Sequence, residues 1–120
     1  MKRNWKFLGT GWDRTTYLID ERIVLKFPKN AIGEECNIFE ALNWFNSENQ
    51  CIQTKLIKIN GFQCAVQPYL KPVDNNDKPD WAGYYDGQQG GLDKGGKFKI
   101  YDFPPNWMGN AIRAYGSYMD

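Results

Sequence analysis

The chain has 120 residues, room for one domain around one modest core. Fifteen Lys and Arg stand against 14 Asp and Glu, and the near balance argues against a strongly basic nucleic-acid binder. There is no histidine, which excludes a Ser-His-Asp triad, a Cys-His dyad and a His-ligated metal.

In chain order, Trp5 to Leu8 reads as a short apolar strand, and Gly9-Thr10-Gly11 as the turn after it. Thr15 to Ile19 is β-branched and aromatic, Asp20-Glu21 a polar turn, and Ile23-Val24-Leu25-Lys26-Phe27 a third strand stopped by Pro28. The period then changes. Ile38, Ala41, Leu42 and Phe45 fall at i, i+3, i+4 and i+7, which predicts an amphipathic helix over 34–46, with Gly33 preceding it. Two strands follow, Thr54 to Asn60 and Phe62 to Leu70, joined at Asn60-Gly61, a dipeptide suited to the positive φ angles of a type I′ turn. Residues 71–91 are polar, with aromatics at Trp81, Tyr84 and Tyr85, and read as a loop with at most a short helix. A second hairpin over 92–102 turns at Lys94-Gly95-Gly96-Lys97, and a terminal helix over 106–118 has Asn106 as N-cap and Trp107, Tyr115 and Tyr118 among its aromatics. The expected fold is α+β: a five-stranded antiparallel sheet with one packed helix, then a hairpin and a C-terminal helix.

Residues 1–30 carry seven basic and three acidic groups, and residues 31–90 four basic and eight acidic. The cysteines (Cys36, Cys51, Cys64) are odd in number and form no CxxC pair, so they read as reduced residues of a cytoplasmic protein. No run approaches the roughly 18 apolar residues of a membrane span, and no membrane is expected as a partner. Aromatics make up 16% of the chain, enough to fill a core and furnish an interaction surface.

The order of elements is more informative than any one of them. Gly9-Thr10-Gly11-Trp12-Asp13-Arg14-Thr15-Thr16, then Val24-Leu25-Lys26, then a helix bearing Glu40, then Cys64-Ala65-Val66-Gln67-Pro68-Tyr69-Leu70 resembles the small lobe of eukaryotic-like protein kinases, specifically those encoded by bacteriophages. A second block, Gly91 to Phe103, resembles the hairpin that ends in the family's metal-binding Asp-Phe-Gly, with Pro104 in place of the glycine. The resemblance implies a cofactor site of Gly9, Gly11, Lys26, Glu40, Gln67, Tyr69 and Asp102, with ATP and magnesium as cofactor and Asp102 as the metal carboxylate. Lys26 in an apolar strand needs a partner in any case. Glu40 is the first candidate and Glu35 the second.

The pattern also departs from the family. The third loop glycine is Arg14, which phage relatives often tolerate there, and the following valine is Thr16. Ungapped counting puts Tyr84 at the catalytic aspartate and Gln89 at the second metal-binding asparagine, and leaves Asp86 as a base only if two residues are deleted. The segment between hinge and catalytic loop is too short for the helices of a large lobe. The expectation is therefore a single kinase-like domain over 1–120, in which 5–70 is the small-lobe core, without catalysis and without an obligatory cofactor. Such a pseudokinase in the cytoplasm of a bacterial host would bind, and inhibit or mimic, a host protein or complex, including one of a defence system. Trp81, Tyr84, Tyr85, Trp107 and Tyr115 are the interaction candidates, and nucleic acid is not an expected partner. The alternative is a minimal nucleotide-binding phosphotransferase using Lys26, Glu40 and Asp102. In the bland reading Gly9 and Gly11 turn a hairpin, Lys26 and Glu40 form a structural pair, and Asp102 accepts from backbone or from Lys26.

Overall fold

A computed structural model of the chain describes residues 5–47, 50–81 and 90–102. The strands are β1 (Trp5–Thr10), β2 (Arg14–Ile19), β3 (Ile23–Pro28), β4 (Lys55–Ile59) and β5 (Phe62–Pro68), hydrogen-bonded in the order β1-β2-β3-β5-β4. Every neighbouring pair is antiparallel. Helix α1 (Ala31–Asn43) packs on β3 and β5 and continues into a 3-10 turn, Trp44–Ser47. A separate two-stranded hairpin, β6 (Gly90–Leu92) and β7 (Phe98–Ile100), follows a short 3-10 turn at Asn75–Asp77. This is the α+β arrangement, sheet plus one helix plus hairpin, that the small-lobe resemblance implies. The expected terminal helix over 106–118, and with it Trp107, Tyr115 and Tyr118, lies outside the described residues, as do Tyr84, Tyr85, Asp86 and Gln89.

Turn chemistry explains the meander. Asn60 (φ 52°) and Gly61 (φ 86°) form the left-handed pair that the β4–β5 turn needs. The β2–β3 turn uses the same backbone, with Asp20 at φ 53° and Glu21 at φ 61°. The first turn differs from expectation. Gly9 lies within β1, opposite Thr16, after a register shift between Phe7 and Gly9, so the chain reverses over 11–13.

The helix also starts earlier than its apolar period suggests. Asn30 is extended and caps it, its side chain accepting from the Gly33 N–H at 2.9 Å. Gly33 is therefore inside the first turn, not ahead of it. A Cβ on Gly33 would stand 2.1 Å from the Asp13 carbonyl oxygen, so only glycine lets α1 lie this close to the first turn. The face turned inward is Ile32, Gly33, Cys36, Asn37 and Glu40. The predicted stripe is rotated off the sheet, with Leu42 61% and Phe45 55% exposed.

The sheet has two distinct faces. Successive side chains alternate, so the row through Thr16, Lys26 and Ala65 faces opposite to the row through Tyr17, Leu25 and Val66. Aromatic rings gather on the second face: Trp5 and Phe7 both meet Tyr17, at 5.4 and 6.3 Å between centroids. Below the sheet, Cys51, Ile52, Leu70 and Ile100 form a buried cluster covered by Trp44, Trp81, Phe98 and Tyr101. Trp81, taken from sequence as an interaction residue, is thus part of this packing, its ring 5.8 Å from that of Phe98. Backbone bonds fasten the hairpin here: Lys71 and Leu92 exchange N–H···O bonds of 2.9 and 2.8 Å, and Ile52 N–H donates to Ile100 O at 2.9 Å.

Candidate functional site

Lys26, in the middle of β3, projects toward α1 and is 3% exposed. An ammonium in such a place must be paired, because its desolvation is uncompensated otherwise. Its Nζ donates to Glu40 Oε1 at 2.9 Å and also to the Tyr101 carbonyl, with the Tyr101 ring centroid 5.7 Å away. Glu40 is fully buried. Glu35, the second candidate partner, is exposed and takes no part.

Arg14 completes the cluster. It opens β2, and its guanidinium turns inward to hold Glu40 with two nitrogens, at 2.8 and 3.2 Å. The same group donates to Asn37 Oδ1 at 3.1 Å and to Asp102 Oδ1 at 2.6 Å. Asn37, also fully buried, spends its amide on the carbonyls of Lys26 (3.2 Å) and Gln63 (2.9 Å). It therefore locks α1 to β3 and β5 and aims its oxygen at Arg14. Gln67 donates to Thr54 Oγ1 at 3.0 Å and to the Tyr101 carbonyl at 2.9 Å.

Two cations and two carboxylates are thus interleaved, and their formal charges cancel. Burial pushes the Glu40 carboxyl upward, but Arg14 and Lys26 outweigh it and hold the group below the ordinary carboxylate value. Lys26 is pulled below the ordinary lysine value, first by burial and then by the Arg14 charge, with Glu40 opposing. Burial alone would depress Arg14, yet Glu40 and Asp102 raise it, so it stays charged. Burial also pushes the neighbouring Cys36 thiol up to about 11.

Of the residues singled out from sequence, the structure brings together Lys26, Glu40, Gln67 and Asp102. Asp102 accepts from Arg14, not from Lys26 or backbone as the bland reading had it. Gly9 and Gly11 stand apart. Neither has positive φ, and a Cβ would meet nothing within 4 Å at Gly9 and only the Arg14 carbonyl at 4.0 Å at Gly11, so the chain's own turn does not demand them. The Tyr69 N–H is committed to the Arg22 carbonyl at 2.9 Å, and its side chain is 41% exposed.

Arg14 and Asn37 are the site residues that sequence reasoning missed as participants. The signal for Arg14 was its position: a charged residue opening a strand that carries no other charge. Against an ATP–magnesium pair stands Arg14, which holds the Asp102 oxygen a metal would take. The Lys26–Glu40 pair is itself the arrangement a nucleotide-binding small lobe uses. Among the described residues no cluster of three or more His, Cys, Asp or Glu side chains is placed to hold a metal.

No family model and no curated protein matches the chain. Solved structures similar to it include aminoglycoside phosphotransferases. A GDP complex of an aminoglycoside 2′-phosphotransferase-IIIa mutant aligns at 18% identity and TM-score 0.47, covering 59% of this chain and 26% of that one. A GDP and kanamycin complex of APH(2″)-IIIa gives 17% and 0.45, again over 59% and 26%. A streptomycin–ATP complex of APH(2″)-IIa gives 23% and 0.39, over 58% and 25%. The chain spans about a quarter of the length of these structures.

Proposed function

We propose that this is a non-catalytic, kinase-like phage protein that acts by binding, and inhibiting or mimicking, a host macromolecule, the components of defence systems included. The observation that carries this reading is the Arg14 bridge, which ties Asp102, the candidate metal carboxylate, to Glu40 from within the chain. Phosphoryl transfer needs the metal carboxylate free to meet its cation, while the Lys26–Glu40 pair is common to both readings. The binding half is supported by apolar side chains left on the surface, Leu42 on α1, Phe45 in the 3-10 turn after it and Trp12 at 80% exposure in the first turn. The partner is expected to be protein.

The test is calorimetry of the purified chain with ATP and magnesium, alongside incubation with labelled ATP and host lysate. Neither heat nor label transfer is expected from the wild-type chain. Transfer that Lys26→Ala abolishes would establish the other reading, a minimal nucleotide-binding phosphotransferase. One observation favours that second reading: the open space over Gly9 and Gly11, glycines that nothing among the described residues requires.

A further inference from the structure

The misfit between the cluster and an ATP–magnesium pair comes down to Arg14. We propose that Arg14 is a tethered cation: it supplies from within the chain the positive charge that Glu40 and Asp102 would otherwise draw from solution, and by doing so latches the β6–β7 hairpin to the sheet. This rests on the non-catalytic reading above and adds what the Arg14 bridge does for the fold.

The geometry assigns the role to the guanidinium and not to the backbone. Arg14 pairs with Pro28 in the β2–β3 ladder, and its carbonyl accepts from Gly11 N–H at 2.9 Å, so its main chain is fixed. Its side chain alone then links three elements, reaching 26 residues ahead to α1 and 88 ahead to the segment leaving β7. Exposure falls along the bridge from the Asp102 side chain at 33%, through Arg14 at 10%, to Glu40 at 0%. The Asp102 end is therefore where water and ions enter, and the Glu40 end is the anchor. Without Arg14, one ammonium would face two carboxylates, one of them fully buried. Such an excess of negative charge has to be met by a proton or a cation.

The experiment measures thermal unfolding of the full chain with and without millimolar Mn²⁺, and amide hydrogen exchange at Lys71, Leu92 and Ile100, whose N–H groups join the hairpin to the rest. The wild-type chain is expected to be indifferent to Mn²⁺. Arg14→Gln, which removes the charge and shortens the side chain by two atoms, should unfold at lower temperature and exchange these amides about tenfold faster. Mn²⁺ should restore both, and Asp102→Asn added to Arg14→Gln should abolish the restoration. Arg14→Lys should stay indifferent to Mn²⁺. A folded Arg14→Gln chain with wild-type exchange and no response to Mn²⁺ overturns the proposal. So does a wild-type chain that Mn²⁺ stabilises as much as the variant. Should Arg14→Gln not fold, Asp102→Asn alone decides: faster exchange at the hairpin amides with the β3–β5 amides unchanged supports the latch, and unchanged hairpin amides overturn it. ATP binding by the wild-type chain would sink the functional reading. An ATP-silent wild type with an ion-insensitive Arg14→Gln would sink the latch alone.

Discussion

Glu40 sets the sign of the whole cluster. A buried carboxylate between two cations repays its desolvation only because both stay bound to it, at 2.8 Å to Arg14 and 2.9 Å to Lys26. Glu40→Gln would leave those two cations facing each other with little water. The expected loss is about 3–5 kcal/mol, read as a lower urea midpoint with unchanged slope. The pH dependence follows from the direction of the shift. Glu40 binds its proton less tightly folded than unfolded, so its contribution is complete above the ordinary glutamate value of about 4.3. It is lost as pH falls through the folded value. Wild-type stability should therefore drop steeply below about pH 4, and Glu40→Gln should flatten that limb. An equally steep acid limb in the variant would place the responsible carboxylate elsewhere.

At the scale of elements, the close approach of α1 to the first turn depends on one missing methyl group. Gly33→Ala would drive a Cβ into the Asp13 carbonyl, which also accepts from Lys29 N–H at 2.7 Å and so cannot yield freely. The expected cost is about 1–3 kcal/mol, although alanine is the better helix former. A urea midpoint equal to or above wild type would show that the helix can shift without loss. How far these elements were legible in sequence depended on the range of the interactions. The Asn60-Gly61 turn and the five strands follow from local chemistry, and their order gave the sheet. The orientation of α1 followed only at Glu40, which the small-lobe resemblance paired with Lys26; the rest was chosen by distant partners, the carbonyls of Lys26 and Gln63 for Asn37 and Arg14 as the second cation on Glu40. Apolar periodicity ranks Leu42 and Phe45 above an asparagine and a glutamate, and so selects the wrong arc. Arg14 was legible as an oddity in the glycine loop, but its contacts at 26 and 88 residues' distance leave no local trace.

For the molecule as a whole, turning polar groups inward has a consequence at the surface. Two of the seven basic residues in 1–30, Arg14 and Lys26, are neutralised inside, so the outer face of this region is less positive than its composition suggests. Apolar side chains displaced from the core interface remain outside, Leu42 on α1 and Phe45 in the 3-10 turn that continues it. If the chain works by binding another protein, that stretch is where its stability and its function separate. An exposed substitution that leaves buried pairs intact usually changes stability by less than about 0.5 kcal/mol. Leu42→Lys combined with Phe45→Lys, charges that suit the C-terminal end of a helix, should thus leave the urea midpoint near wild type while placing two charges where an apolar contact would form. In affinity capture from the bacterial host, a partner retained by the wild-type chain should be lost with the double variant and kept with Glu35→Ala on the same helix. A partner kept by the double variant moves the interface off α1, and a large drop in midpoint shows that these side chains support the fold instead.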